Sequence, residues 1–194
     1  MSATAHPACS QAAFEARYRQ SRDPWHFGRS TYERGRYRAT MAALTRSAYR
    51  RAFEPACSVG ELTVQLAQRC GEVIATDLAP TAVALARRRC RGFPNVQVSQ
   101  ADLAAGSPPG PFDLIVFSEC GYYFDAAALR AIVRDLESKL ECRGEFVAVH
   151  WLGDSADHVL HGDTVHELLR TGLSLEWVRG ARHPGFRIDT WKRP

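Results

Sequence analysis

The stretch FEPACSVGELT, residues 53–63, decides the fold. A strand-like run, RRAFEPA (50–56), leads into it, and a helix-like run, ELTVQLAQRC (61–70), leads out with Leu62, Leu66 and Ala67 on one face. The residues between are then the turn of a βα unit, the place where open parallel sheets bind their ligands. A glycine-rich turn of this kind lets the backbone approach a pyrophosphate, while the helix N-terminus holds its charge. Here only Gly60 is of the expected type, and Ala56 and Ser58 stand where glycine is expected. Side chains at those positions crowd a phosphate and spare a ligand that has none.

Working outward from this turn, the chain alternates apolar runs with helical patterns, the signature of βαβ units. EVIATD (72–77) reads as a second strand and PTAVALARRRC (80–90) as its helix, with Pro80 in a first turn that needs no N–H donor. NVQVSQAD (95–102) gives a third strand. After the Pro/Gly loop AAGSPPGP (104–111), FDLIVFS (112–118) is the most hydrophobic run and is expected to be a central strand covered on both faces. DAAALRAIVRDLESKL (125–140) has a clean helical period, and EFVAVHW (145–151) is a fifth strand. TVHELLRTG (164–172) is a helix with Thr164 and Glu167 at capping-box spacing and Gly172 as its stop. LSLEWVRG (173–180) and GFRIDTWKR (185–193) alternate as a closing hairpin. Upstream lie helices at 10–20 and 31–46, the second with a Ser30/Glu33 capping box, and between them the aromatic segment SRDPWHFGRS (21–30) reads as a lid. The expectation is a single α/β domain, a Rossmann-like, doubly wound, seven-stranded and mostly parallel sheet. Residues 1–48 form its N-terminal helical lid, 49–151 its cofactor-binding core, and 152–194 a substrate-side helix and antiparallel hairpin.

Composition bounds the function. With 194 residues, 45% of them hydrophobic and 24% charged, the chain is an ordinary globule with one core. The net charge of +4 comes from scattered arginines, such as Arg17, Arg19 and Arg22, which imply a mild attraction for anions and no nucleic-acid footprint. No stretch approaches the ~18 apolar residues of a membrane span, and MSATAHPACSQ has no apolar signal core, so a cytoplasmic location is expected. The cysteines at 9, 57, 70, 90, 120 and 142 include no C-x-x-C and read as reduced thiols. His158, His161 and His166 lie near Asp154, Asp157 and Asp163, but Gly162 interrupts them and no H-E-x-x-H motif is present, so no metal is expected.

Four acids follow successive strands: Glu54, Asp77, Asp102 and Glu119. Each alone is an ordinary loop residue; in series they describe a pocket at the carboxyl end of a sheet. Asp77 lies 17 residues after Gly60, near the ~20-residue offset at which an acid reaches a ribose, and Asp102 would accept from an exocyclic amine. A nicotinamide enzyme would want G-x-G-x-x-G, which is missing. S-adenosylmethionine is a nucleoside ligand without phosphate. A non-catalytic adenosine-binding module is the other reading the eroded glycines leave open.

Glu119, after the central strand, is a candidate to orient an acceptor and take its proton, or else only caps the next turn. His150 and Trp151 end the fifth strand beside it, His150 as a second catalytic candidate or as a satisfied core histidine. Tyr122 and Tyr123 would stack on a sugar or an aromatic ring, or are simply core.

The stretch FEPACSVGELT resembles motif I of class I S-adenosylmethionine-dependent methyltransferases, and Asp77, Asp102 and FDLIVFSE resemble that fold's later motifs. More narrowly, DPWHFGRSTYERGRYRAT (23–40) and SECGYYF (118–124) resemble the nodulation protein S-like methyltransferases. The resemblance implies S-adenosylmethionine held by Glu54, Ala56, Ser58, Gly60, Asp77, Leu78, Asp102, Leu103 and Ser118, with S-adenosylhomocysteine as product. The aromatic and basic content of the segment before the first strand makes Trp25 a candidate to lie over the sulfonium and Arg36 a candidate to pair with the methionine carboxylate, or else both are ordinary helix packing. The implied acceptor is a small molecule, an amino-sugar or oligosaccharide nitrogen, with a phenol or carboxylate oxygen as the competitor. A monomer or homodimer and no nucleic-acid or membrane partner are expected.

Overall fold

The computed structural model describes residues 9–194; the expectation that touches the residues before Cys9, an N-terminus without a signal core, lies outside them. Seven strands form one sheet: β1 (Tyr49–Pro55), β2 (Cys70–Asp77), β3 (Val96–Gln100), β4 (Phe112–Ser118), β5 (Leu140–Trp151), β6 (Glu176–His183) and β7 (Phe186–Lys192). Their order is β3-β2-β1-β4-β5-β7-β6, in which the first five are parallel and β7 runs antiparallel to both β5 and β6. The order reverses between β1 and β4, and a crevice for a ligand opens there.

All seven residues of β4 are buried, because both faces of this central strand are covered. The period of two assigns them: Ile115 and Phe117 join Phe53, Phe146 and Ala148 in one core, while Leu114 and Val116 join Ala52, Val147 and Val149 in the other. The first core is closed by α5 (Ala126–Lys139) and α6 (Gly162–Gly172), the second by α2 (Thr31–Ala43) and α3 (Glu61–Leu66). Below the sheet, buried Asp113 accepts from the N–H groups of Arg50 and Arg51 at 2.7 and 2.8 Å, fixing β4 against β1.

Several boundaries differ from the sequence reading. The helix expected over 61–70 ends at Leu66, because Cys70 already pairs with Tyr49 as the first residue of β2. β5 begins directly at Leu140, before the expected 145, and a register jump between Leu140 and Glu145 is taken up at Arg143, whose φ is +62°. α6 starts two residues earlier than its expected box: His161 is the N-cap and accepts from Asp163 N, so Thr164 lies inside the helix. Ser30 does cap α2 by accepting from Glu33 N, but Ser30 N is already bonded to His26 O, which leaves the Glu33 carboxylate with no cap to complete.

Gly60 is the one glycine this fold demands in the loop after β1. Its φ is +81°, and a Cβ there would lie 3.2 Å from Ala86 Cα on α4 (Pro80–Arg89). Ala56 and Ser58 nonetheless adopt the left-handed conformation that glycine would give, with φ of +54° and +51°.

Candidate active site

A cavity of about 1590 Å³ opens at the carboxyl ends of the strands. It exceeds the ~300–1,000 Å³ of a typical single-ligand pocket, so it has room for two ligands side by side. Its floor is built from the residues that follow each strand: Ala56 and Ser58 after β1, Asp77 and Leu78 at β2, Asp102 and Leu103 after β3, Glu119, Tyr122 and Tyr123 after β4, and Trp151 at the end of β5. Trp25 and Phe27 enter from above, stacked on one another at 5.7 Å. Eleven sequence-predicted site residues thus share one cavity: Trp25 and the ten floor residues just named.

The roof is α1 (Gln11–Gln20), held at three points around the opening. Glu15 accepts from Thr81 N and from its hydroxyl at 2.9 and 2.6 Å, at the start of α4. Tyr18 Oη shares a 2.6 Å hydrogen bond with Ser58 Oγ, and Arg17 pairs with Asp157 at 2.6 Å. Sequence reasoning missed Tyr18 because a tyrosine in an amphipathic helix carries no signal of what it touches.

The loop after β1 is a poor phosphate cradle. Cys57 N donates to Thr76 O, Ser58 N to Asp77 Oδ2, and Gly60 N to Cys57 O, so these N–H groups are used within the fold. Asp77 Oδ1 accepts from Ala79 N, and burial raises the Asp77 carboxyl to about 6. Exposed Asp102 caps a short turn by accepting from Ala104 N. Beneath the main cavity, a void of about 30 Å³ is lined by Glu54, Arg36 and Ser118 among others, and reaches Glu119. Glu54 Oε2 is buried and has no hydrogen-bond partner; burial, with the Asp77 charge behind it, pushes this carboxyl up to about 8.

Arg36 is not a free cation. Only 1% exposed, it binds Glu33 through Nε and Nη2 and Glu119 Oε1 through Nη1 at 3.1 Å, with Ser118 Oγ at 3.4 Å. The sequence reading of Arg36 as a clamp for the methionine carboxylate therefore meets a guanidinium already committed to two carboxylates. Glu119 has φ +57° and also accepts from Trp151 N at 2.8 Å and Tyr122 Oη at 3.0 Å. Burial raises its carboxyl above the ordinary range, with Arg36 opposing.

His150 does not reach the cavity, which corrects its assignment as a catalytic residue. Gly121 N donates to His150 Nε2 at 3.0 Å, so the ring carries its proton on Nδ1 and donates to His166 Nε2 at 3.3 Å. His166 Nδ1 donates in turn to Asp189 Oδ2 at 2.6 Å. Both histidines are fully buried, and burial first of all lowers their pKa values, so they are neutral. The chain of three anchors the turn that carries Tyr122. His158, in the stretch that the sequence reads as an acceptor-side loop without a metal, lines the cavity, stacked on Tyr122 at 3.8 Å. Among the described residues no group of three His, Cys, Asp or Glu side chains is placed to share a cation.

The family model for nodulation protein S (NodS) matches residues 11–180. The chain belongs to the NodS family. A NodS relative, nodulation protein S of Sinorhizobium fredii, is 31% identical over 160 residues, covering 78% of this chain and 72% of that protein. A crystal structure from Pseudomonas syringae, described as that of a candidate methyltransferase, is 38% identical with a TM-score of 0.76, covering 84% of this chain and all of that one. N-methyltransferase NodS from Bradyrhizobium japonicum, solved with S-adenosyl-L-homocysteine, is 23% identical and shares the fold at a TM-score of 0.85 over 95% of this chain and 99% of its own. The lid segment and the SECGYYF turn, on which the resemblance was drawn, both lie inside the matched NodS span.

Proposed function

We propose that this protein transfers a methyl group from S-adenosylmethionine to the nitrogen of a small amine, with an amino sugar as the acceptor class. Membership of the NodS family makes it an S-adenosylmethionine-dependent methyltransferase, and the choice of acceptor rests on one observation. The chain has a net charge of +4, yet among the described residues its cavity is lined by five carboxylates, Glu33, Asp77, Asp102, Glu119 and Asp125, and by no lysine or arginine. A carboxylate or phosphate acceptor would meet only like charge there, whereas an ammonium would be drawn in.

The residues fit the cofactor. Asp77 and Asp102, after β2 and β3, would hold its adenosine, and the unpartnered, buried Glu54 Oε2 suits a cationic amino group at the other end. The N–H groups of Cys57, Ser58 and Gly60 are spent within the fold, so the loop offers a phosphate fewer donors than a glycine-rich turn would. When bound, S-adenosylmethionine supplies a methyl carbon activated by a positively charged sulfur.

What the chain does is align and shelter the acceptor, and such positioning is worth effective molarities of ~10⁵ M or more in ideal cases. Phe14, Tyr18, Trp25 and Phe27 close an apolar roof that keeps water out. Tyr122, Tyr123, Trp151 and His158 form an aromatic wall suited to the flat face of a sugar ring. Glu119 stands beside this wall with its orientation fixed by Trp151 N and Tyr122 Oη, ready to orient an amine.

The test is to incubate the protein with S-adenosylmethionine and D-glucosamine, a chitosan tetramer, catechol or acetate, and to weigh the acceptors by mass spectrometry. The amines are expected to gain a methyl group. Methylated catechol or acetate with untouched amines would overturn the reading.

A further inference from the structure

The acceptor pole contains a second carboxylate that the Glu119 reading leaves unused. Glu33 is more than nine-tenths buried, lines the cavity, and faces Arg36 with Oε2 alone, which takes both Nε and Nη2. Oε1 accepts no hydrogen bond among the described residues. The reason is local: Ser30 N is spoken for by His26 O, so the carboxylate that would complete a capping box turns inward to the arginine three residues on.

Buried Glu33 and partly buried Glu119 thus share one guanidinium, two carboxyl groups against one cation. Uncompensated charge in a low-dielectric wall calls for a cation. The two acids are not equivalent in what they have left. Glu119 is held by Trp151 N, Arg36 and Tyr122 Oη across both oxygens, so protonating it breaks a made contact. Glu33 has an oxygen with no such contact. The other groups that face it are Tyr32 and Tyr37, both pushed above their ordinary range mainly by burial.

We propose that Glu33 is the acceptor-side base of this methyltransferase: its Oε1 binds the ammonium of the incoming amine and receives its proton. The N–H bond breaks and its electron pair stays on nitrogen as the lone pair. That pair then forms the bond to the methyl carbon, while the carbon–sulfur pair leaves with sulfur. Charge balances, because the proton on Glu33 and the new neutral thioether replace the ammonium and the sulfonium, and the alkylated nitrogen carries the remaining positive charge. Arg36 stays paired with Glu119 Oε1 at 3.1 Å and opposes the rise that burial gives that carboxyl.

The inference rests on the N-methylation reading, and the experiment separates the two. Wild type and Glu33→Gln, each loaded with S-adenosylhomocysteine, are titrated with D-glucosamine by calorimetry in two buffers of different ionisation enthalpy, and methyl transfer is measured in parallel. The variant is expected to bind S-adenosylhomocysteine within about threefold of wild type, to release to the buffer, on binding glucosamine as the neutral amine, a proton that wild type keeps on Glu33 with almost no buffer dependence, and to lose on the order of 100-fold in kcat. A variant that methylates glucosamine as fast as wild type overturns the role of Glu33 alone. So does one that loses S-adenosylhomocysteine and glucosamine affinity equally while keeping its melting temperature, for then the carboxylate serves the cofactor. Should Glu33→Gln not fold, Glu33→Asp, which keeps the charge on Arg36 but withdraws the free oxygen, must show the same split. A wild type that methylates catechol and no amine overturns both readings.

Discussion

Glu54 gives the sharpest quantitative test of the site. Its carboxyl is fully buried with an unpartnered oxygen, and burial raises its pKa from the ordinary 4.5 to about 8. The sign follows from which state holds the proton. Between those two values the folded chain keeps it and the unfolded chain releases it, so the unfolded state is increasingly favoured as pH climbs. Stability is therefore lost progressively from 4.5 upward and levels off above about 8. Each tenfold difference in proton affinity between the folded and unfolded chains is worth ~1.4 kcal/mol, so between about pH 5.5 and about pH 8.5 the loss is ~3 kcal/mol. Glu54→Gln is a neutral isostere that cannot titrate. Asp77, raised to about 6, titrates in both proteins and largely cancels from their difference. Urea unfolding of both proteins at the two pH values should show the variant gaining ~3 kcal/mol on wild type at the higher pH. Parallel stabilities, with a difference that stays the same to within about 1 kcal/mol, would mean that Glu54 ionises normally in the folded chain and that its burial does not hold the proton on.

Two further outcomes probe the loop and the buried chain. Ala56→Gly relieves a left-handed alanine and should stabilise by ~0.5–1 kcal/mol, whereas Gly60→Ala, at φ +81° and against Ala86, should destabilise by ~2 kcal/mol or more; both are read as unfolding midpoints. His166→Ala leaves His150 Nδ1–H buried without an acceptor, which costs ~1–3 kcal/mol; it should lower kcat through the slackened Gly121 turn while leaving S-adenosylhomocysteine affinity unchanged in calorimetry.

The sheet was legible because its signal is the pattern of apolar residues, which survives without knowledge of neighbours: FDLIVFS, the most hydrophobic run, was the best candidate for a strand covered on both faces, and it is β4. The floor of the cavity was legible for the same reason, since strand ends fix where Asp77, Asp102 and Glu119 stand. Errors appeared where a residue's partner is distant in sequence. Cys70 looked like the end of a helix until its pairing with Tyr49 drew it into β2. His150 looked catalytic from its place at a strand end, but the partners that use both of its nitrogens lie at Gly121 and His166. Thr164 and Glu167 had capping spacing, yet His161 began the helix first. Glu33 was within reach: a Glu three residues before an Arg on a helix is an ion-pair pattern as much as a capping one, and the spacing alone does not choose.

The lost glycine at position 58 and the roof helix α1 are best understood together. Holding a serine at φ +51° costs ~1 kcal/mol relative to glycine. Its hydroxyl makes a 2.6 Å bond to Tyr18, and a bond of this kind returns ~0.5–1.5 kcal/mol. The two nearly cancel, so stability does not favour serine over glycine at this position. What changes is geometry: glycine would leave the loop open to an approaching phosphate and the roof without its middle anchor. With serine, Ser58 N is tied to Asp77 while Ser58 Oγ is tied to α1, so one residue joins an acid on the cavity floor to the helix that roofs it. A turn built this way exchanges the room of a phosphate loop for an anchor that holds α1 over the cavity, where a roof limits the access of water to the site of methyl transfer.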